Sequence, residues 1–431
     1  MKVDVILGLQ WGDEGKGKVV DVISPGYDII ARFQGGPNAG HTIEFDGGRH
    51  ILHLLPSGIF HKNTTNIIGN GVVVDPLIIM KEIAGLLPFG ISAEQNLIIS
   101  KRAHLILPSH RLLDACFEAI KGNLKIGSTL KGISPVYTDK AARSGLRAGD
   151  IFSERFFQKY GQLKQAHLLT AQSTGHDYRH ILIDGLPFGE YEEKWMDAVQ
   201  QMKKLRFEET EVFINEALRS GKTVLAEGAQ GSLLDLEFGS YPFVTSSNTV
   251  CGGVCTGLGV SPHSIGTVYG IFKAYCTRVG SGPFPTEQSN ELGDELRKSG
   301  NEYGSTTGRA RRCGWLDLPA LNYAVMINGV DELIMTKADV LSNFAEIQIC
   351  TSYAQDGKEM NYLPFDLGEK SVVPSYKKYS GWNSDLGSIT ALSELPAATA
   401  AYIDVIENYV QKKISMVSTG PGREHIIKTI V

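Results

Sequence analysis

Short apolar runs closed by glycine or by polar residues recur along the chain and alternate with stretches of helical periodicity. VDVILGL at residues 3–9 is β-branched and nearly all apolar, as a buried strand should be, and the glycine near its end signals a turn. A helix is expected from about residue 15 to 23, then a second strand, YDIIARF at 27–33, which leads into the loop QGGPNAGHT. Strand, helix and strand in succession predict a parallel sheet with crossover helices. Residues of roughly 100 to 220 read as mainly helical, through HRLLDACFEAIK and the long KWMDAVQQMKKLRFEETEVFINEALRSG, and form an insertion on the sheet rather than a separate unit. Strands resume at TVLAEG, TVYGIFKAYCT, ELIMTKAD and EIQICTSY, and a last helix, PAATAAYIDVIENYV, precedes the strand ISMVSTG. The expected architecture is one large α/β unit over residues 1–431, with a mostly parallel central sheet flanked by helices. In open α/β sheets ligands bind beyond the carboxyl ends of the strands, so the polar, glycine-rich loops closing these strands should converge on one site.

Composition narrows the class without changing that picture. The 431 residues are 42% apolar and 21% charged, the balance of an ordinary soluble protein. A formal net charge of −5 argues against nucleic acid as a partner, so any anionic ligand must be met by local basic clusters. The first apolar run is too short and too interrupted for a signal peptide, and nowhere do 18 apolar residues run together. The six cysteines are scattered, and the close pair Cys251 and Cys255 lacks the second pair that a zinc site needs. Reduced thiols in a cytoplasmic protein without membrane contact are the expectation.

The candidate chemistry begins in GLQWGDEGKGKVVD, directly after the first strand. Gly12, Gly15 and Gly17 with Lys16 and Lys18 place backbone N–H groups, a helix N-terminus and two cations where an anion can sit. The spacing is that of a P-loop, yet Val19 stands where a hydroxyl should hold magnesium. Asp13 and Glu14 also bring negative charge into the cradle. Asp13 is the nearest candidate to ligate the metal instead, or to act as a general base kept ionised by nearby cations. In QGGPNAGHT, Asn38, Gly40, His41 and Thr42 follow a strand; His41 can donate to a phosphoryl oxygen and Asn38 can read a base or phosphate. ELIMTKADV resembles the guanine motif of GTP-binding proteins, in which an Asp accepts both N1–H and the exocyclic amine while a Lys stem packs along the base. VSTGPGRE offers further contacts around the base. GSTTGRARRCGW sets Arg309, Arg311 and Arg312 beside two threonines, an anion-binding loop suited to carboxylates or phosphates.

A GTP-hydrolysing switch is the alternative to an enzyme that couples GTP to a second substrate. A switch requires Ser or Thr at position 19, a D-x-x-G metal loop and a guanine motif well within 200 residues of the phosphate loop. This chain has Val19, no D-x-x-G, and more than 300 residues between the two motifs. In order and spacing, WGDEGKGK, QGGPNAGHT, LHLLPSGI, IIGNGVVVDP, EGAQGSLLDLEFGSYPFVTSSN, KAYCTRVGSGPFPTE, TTGRARRCGWLDL and TKADVL resemble adenylosuccinate synthetase, over essentially the whole chain.

That resemblance implies GTP-dependent joining of IMP and L-aspartate to adenylosuccinate, with one Mg²⁺ per subunit, GDP and phosphate as products, and a 6-phosphoryl-IMP intermediate. It implies Asp13 as base and metal ligand, His41 as acid, Lys16 on the transferred group, and the Gly40 carbonyl as a second metal ligand. GTP falls to Gly12, Asp13, Glu14, Gly15, Lys16, Gly17, Lys18, Gly40, His41, Thr42, Arg311, Lys337, Ala338, Asp339, Ser418, Thr419 and Gly420. IMP falls to Asp13, Lys16, Asn38, Ala39, Gly40, His41, Thr129, Gln230, Thr245 and Arg309, with Arg143 supplied by the neighbouring subunit of a homodimer. Aspartate falls to Val279 and to Ser305, Thr306, Thr307, Gly308, Arg309 and Arg311, within a mobile loop at about 300–312. Two departures stand out. Leu130-Lys131 replaces a frequent Gly-Arg after Thr129, which sets a residue averse to positive φ beside the IMP phosphate. Ala310 replaces a frequently basic residue, with little expected effect.

Overall fold

The first apolar run becomes strand β1 (Val3–Gly8), which feeds both faces of a sheet: Val3, Val5 and Leu7 enter one core and Ile6 the other. A parallel strand covered on both sides reads as such a continuous apolar run. The computed structural model describes residues 1–428 apart from 46–47, 123–124, 126, 176–177, 305–307, 368 and 371. After helix α1 (Lys16–Ile23) come β2 (Ile29–Arg32), β3 (Thr65–Ile68), β4 (Leu97–Ser100), β5 (Arg206–Glu208) and β6 (Val224–Glu227). β7 (Ile265–Lys273), β8 (Glu332–Thr336), β9 (Lys413–Ser418) and β10 (Ile426–Lys428) complete a ten-stranded sheet. Its order is β10-β9-β8-β7-β1-β6-β2-β3-β4-β5, parallel throughout except for β10. β1 lies mid-sheet between β6 and β7, so the loops after these three strands are neighbours at one sheet end.

Helix α1 packs Val19, Val20 and Ile23 against Ile6, Ile30, Leu225, Ile271 and Ile334 on the sheet. Val19 is fully buried there. Between β4 and β5 the chain runs through helices α2 (Pro108–Ile120), α3 (Ile133–Ala142), α4 (Phe156–Ser173) and α5 (Phe188–Met202). Trp195 on α5 is buried, stacks on Tyr160 with ring centroids 5.4 Å apart, and donates its indole N–H to Ile106 O at 2.9 Å.

Two expectations change. The long helical reading of 194–221 divides at β5, where Phe207 pairs with Ile99 on the edge strand, and a second helix follows at Thr210–Arg219. A three-residue edge strand flanked by charges carries too little alternation to stand out from helical periodicity. EIQICTSY is a strand, Glu346–Gln355, but it belongs to a smaller sheet, antiparallel to Val373–Ser380, and does not deliver its loop to the central sheet. Among the described residues no helix is long and apolar enough to cross a membrane.

Candidate active site

The loop from β1 to α1 turns through left-handed backbone at Gly12, Asp13 and Gly15, with φ of 87°, 61° and 84°. Glycine adopts this region freely; Asp does so at a cost, and the strain sets the Asp13 side chain apart from that of Glu14. Asp13 stays 28% exposed and pairs with Arg311, Oδ2 to Nε 2.8 Å. Glu14 turns inward and is fully buried. Its Oε1 accepts the N–H groups of Gln10 at 3.1 Å and Gly12 at 2.9 Å, and its Oε2 accepts Lys16 Nζ at 2.5 Å. The second carboxylate therefore shapes the loop from beneath, and Lys16 rests on it. Gly8 is required by this arrangement, since a β-carbon there would sit 2.3 Å from Glu14 Oε2. Lys18 donates to Gly420 O at 2.6 Å and to Ser418 Oγ, tying the loop to the end of β9.

His41 opens the hairpin after the 34–40 loop (His41–Phe45 with Gly48–Leu52) and packs on α1 so closely that a β-carbon on Gly17 would lie 2.9 Å from its own. Its Nδ1 is 2.6 Å from Glu227 Oε1 at the end of β6 and 3.2 Å from Ser57 Oγ. Burial pulls its pKa down, against the upward pull of Glu227. Its Nε2 is buried with no hydrogen-bond partner. Ala39 is buried, and its carbonyl lies 2.6 Å from His53 Nδ1; Gly40 and Thr42 are half-buried.

At the other end of the loop, Thr336 Oγ1 donates to Glu14 O at 2.7 Å, which brings the guanine motif against the phosphate loop. Lys337 takes φ 62° and its Nζ donates to Gly300 O at 2.9 Å. Ala338 is buried. Burial raises the Asp339 carboxyl above its usual range, and its Oδ1 is buried without a hydrogen-bond partner, as is Thr419 Oγ1. Buried polar atoms normally have partners, so these two mark places for ligand donors and acceptors.

Asn38 and Gln230 meet at 3.1 Å, Nε2 of the latter donating to Oδ1 of the former; Gln230 Oε1 is buried and unpartnered, as is Thr245 Oγ1 in the same 227–248 segment. Arg309 NH1 donates to Gly127 O at 3.2 Å, which joins the arginine loop to the segment carrying Thr129. Leu130 takes φ 56°, so the chain keeps the left-handed turn although glycine is absent. Lys131 pairs with Asp184 at 3.2 Å, where Arg111 already makes a two-pronged contact at 2.7 and 2.8 Å. Arg143 is exposed at the end of α3 and Val279 is half-buried after Cys276–Arg278. Ser305, Thr306 and Thr307 lie outside the described residues; Gly308 follows with φ 65°. Arg312 is committed to Glu287, Nε to Oε1 at 2.8 Å, and so stands apart from the other two arginines.

Several members of the site escape sequence reasoning. Glu302 is fully buried and accepts Arg311 NH1 at 2.5 Å, Lys273 Nζ at 2.8 Å and the Tyr275 hydroxyl. Burial works to raise it, but Lys273, Lys337 and Arg311 outweigh that and hold it down to about 2. It anchors the cation that faces Asp13. Glu227 is the other. Its signal was a carboxylate closing an otherwise apolar strand, VLAE, with all four residues buried.

For a divalent cation, Asp13 offers a partly exposed carboxylate that already holds a cation in Arg311, and a hard oxygen donor set with room for phosphate oxygens suits Mg²⁺. A second group, His110, Asp139 and His167, brings its ligand atoms within 4.8 Å of one another. It is not arranged for metal: His110 Nδ1 accepts the Leu107 N–H at 2.8 Å, so its proton sits on Nε2, directed at Asp139 Oδ2 2.8 Å away. His167 Nε2 meets the same oxygen at 2.8 Å. The trio is a hydrogen-bonded brace among α2, α3 and α4. All six cysteines are free.

A candidate phosphate loop, a buried carboxylate with one unpartnered oxygen after β8 and arginines on a second loop, gathered at one sheet end, are the parts of a GTP-dependent enzyme with an anionic co-substrate. The sequence matches the adenylosuccinate synthetase family over residues 5–427. It is 54% identical over 427 residues to the adenylosuccinate synthetase of Flavobacterium johnsoniae, covering 99% of this chain and 100% of that protein. Against the Bacteroides thetaiotaomicron enzyme of the same name, identity is 53% over 428 residues, covering 99% of each. The fold matches the fully ligated adenylosuccinate synthetase of Plasmodium falciparum with a TM-score of 0.89 at 39% identity, covering 99% of this chain and 100% of that one. The succinoaminodeoxyadenylate synthetase of cyanophage S-2L shares the fold, with a TM-score of 0.59 at 18% identity over 100% of this chain and 96% of that one. The chain belongs to the adenylosuccinate synthetase family, the ligases of purine biosynthesis that join IMP and L-aspartate with GTP hydrolysis.

Proposed function

We propose that Asp13 removes the N1 proton of IMP and that His41 hydrogen-bonds the transferring phosphoryl group. The 6-oxo group of a hypoxanthine is a poor nucleophile and a poor leaving group. Loss of the N1 proton makes the 6-oxygen anionic, and it attacks the γ-phosphorus of GTP as the bond to the β,γ-bridging oxygen breaks and GDP leaves. The phosphate ester at C6 then leaves as the aspartate amine attacks that carbon. Support for this reading is that Asp13 is the carboxylate of the loop left partly open, while Glu14 is buried under it. Arg311 lies beside it, Nε 2.8 Å from Asp13 Oδ2. Asp13 and the Gly40 carbonyl would hold Mg²⁺, which neutralises charge on the phosphoryl oxygens. Lys16, released from Glu14, faces the same oxygens.

Guanine recognition falls to Lys337 and Asp339 with Ser418, Thr419 and Gly420, supported by the orphaned Asp339 Oδ1. IMP falls to Asn38, Gln230, Thr245, Thr129 and Arg309, supported by the Asn38–Gln230 pair and the unsatisfied oxygens around it. Aspartate falls to the loop of residues 300–312 and Val279. The working enzyme is a cytoplasmic homodimer in which Arg143 reaches the partner's IMP.

The observation that carries the mechanism is the division of labour between Asp13, open and paired to a cation, and Glu14, buried and structural. The test is an absorbance assay with IMP, GTP, aspartate and Mg²⁺, leaving out one component at a time, on wild type and on Asp13→Asn. Turnover should require all four and be lost in the variant. GDP release without IMP or aspartate, or near-normal turnover of Asp13→Asn, overturns the assignment.

A further inference from the structure

Glu227 closes β6 and has no solvent exposure. Both of its oxygens are aimed. Oε2 accepts the Ser57 N–H at 2.8 Å, and Oε1 accepts the Ser57 hydroxyl at 2.6 Å while lying 2.6 Å from His41 Nδ1. The carboxylate is thereby fixed from the segment that follows the 48–52 strand, and in turn fixes the imidazole. Gly17 packs so closely on the Cβ and backbone of His41 that a β-carbon there would lie 2.9 Å from the His41 Cβ. What remains is Nε2, buried and unpartnered.

We infer that Glu227 is the positioning residue for His41: it holds the ring by accepting from Nδ1–H, and so leaves Nε2 as the nitrogen that carries the proton donated to a phosphoryl oxygen when the ring is the imidazolium. A carboxylate can only accept, so Nδ1 must donate, and the ring is held in one tautomer and one orientation. Burial alone would raise the Glu227 carboxyl, but His41, Arg32 and the Ser57 hydroxyl outweigh it and hold it below its usual range, as an acceptor must be. Without Glu227 the neutral ring would exchange its proton between the two nitrogens and could turn. Ser57 is the third member: its hydroxyl and amide stop the carboxylate from rotating away. Neither residue touches substrate in this arrangement; both act through His41.

The inference rests on the reading of His41 as the group facing the phosphoryl oxygens, and a double-mutant cycle separates the two. His41→Asn, Glu227→Gln and the double variant are assayed for kcat and for KM of IMP, GTP and aspartate, with unfolding followed by circular dichroism. Loss of a general acid should lower kcat about 100-fold or more in His41→Asn. Glu227→Gln should lower kcat about 10- to 100-fold, as loss of an orienting partner does, with KM values little changed. In the His41→Asn background the same Glu227→Gln change should cost less than about twofold. A full-sized Glu227 effect in that background, or an unchanged kcat in the single variant, overturns the inference. Normal kcat in His41→Asn instead removes the reading beneath it. Should Glu227→Gln fail to fold, Ser57→Ala takes its place: a smaller kcat loss that vanishes in the His41→Asn background supports the inference, and an additive loss overturns it. The ¹⁵N spectrum of the histidine ring, assigned by its disappearance in His41→Asn, should show Nδ1 protonated in wild type and a tautomer mixture in Glu227→Gln; a mixture already present in wild type also overturns it.

Discussion

Val19 illustrates how a motif residue can be legible and still misread in one dimension. From sequence it is a missing hydroxyl; in the fold it is a fully buried core residue pressed between α1 and the sheet. On the proposed mechanism the metal-ligating oxygen lies on the loop instead, at Asp13. Replacing Asp13 by Asn keeps size and hydrogen bonding but removes the base, so turnover should fall about 10²–10⁴-fold while GTP and IMP affinities stay close to wild type. Stopped-flow turnover with parallel equilibrium binding checks both halves. Leu130 is the residue-scale counterexample: aversion to positive φ cast doubt on the turn, yet the chain takes φ 56° there. Local preference is worth only about 1–2 kcal/mol, and hydrogen bonds such as Ser128 Oγ to the Leu130 N–H and to Asp114 offset it.

At the scale of elements, the end of β8 and the brace among α2, α3 and α4 each carry a prediction. Asp339 Oδ1 awaits a donor in a buried site. Asn in its place presents an N–H toward the guanine N–H groups, so GTP should lose about 10- to 100-fold in kcat/KM. Xanthosine triphosphate, whose 2-oxo group can accept that N–H, should gain relative to GTP; competition kinetics with the two nucleotides decides it. In the helical region, burial pulls His104 and His110 down to about 4, aided at His104 by Lys140 and Arg147 and opposed at His110 by Asp139. The unfolded chain takes up their protons near pH 6.5 and the folded chain does not, so their contribution is intact above about 6.5 and is lost as pH falls toward 4. Thermal midpoints should drop across that window, with each histidine adding up to about 1.4 kcal/mol per pH unit. His104→Asn should flatten the dependence; an unchanged slope rejects the attribution.

The whole molecule adds the subunit question. Arg143 stands exposed where α3 ends, with φ 65°, and a lone chain gives it no evident place at the nucleotide loops. If it serves a partner's IMP, Arg143→Leu and Asp13→Ala homodimers should each be inactive while their mixture recovers activity. Random exchange of equal amounts places half of the dimers in the mixed state, each with one intact site, so recovery should approach about a quarter of wild type. No recovery after exchange, confirmed by mass spectrometry of the mixed dimers, argues against a shared site.

Order along the chain was enough to establish the central sheet and to mark the candidate phosphate loop, guanine motif and arginine loop. Buried parallel strands are uninterrupted apolar runs, and glycine and lysine at fixed offsets report local geometry. Local patterns cannot report which of two adjacent carboxylates faces inward, because Glu14 is turned by Gln10, Gly12 and Lys16 only once the loop has closed. Glu227 lies 170 residues from Ser57 and meets it and His41 because β6 pairs with β2, whereas Glu302 lies nine residues from Arg311 and is buried with it against Lys273 at the end of β7. The candidate chemistry at the sheet end was therefore legible in short motifs, whereas the buried carboxylate beside His41 was decided by strand order, which brings distant charges together where water cannot screen them.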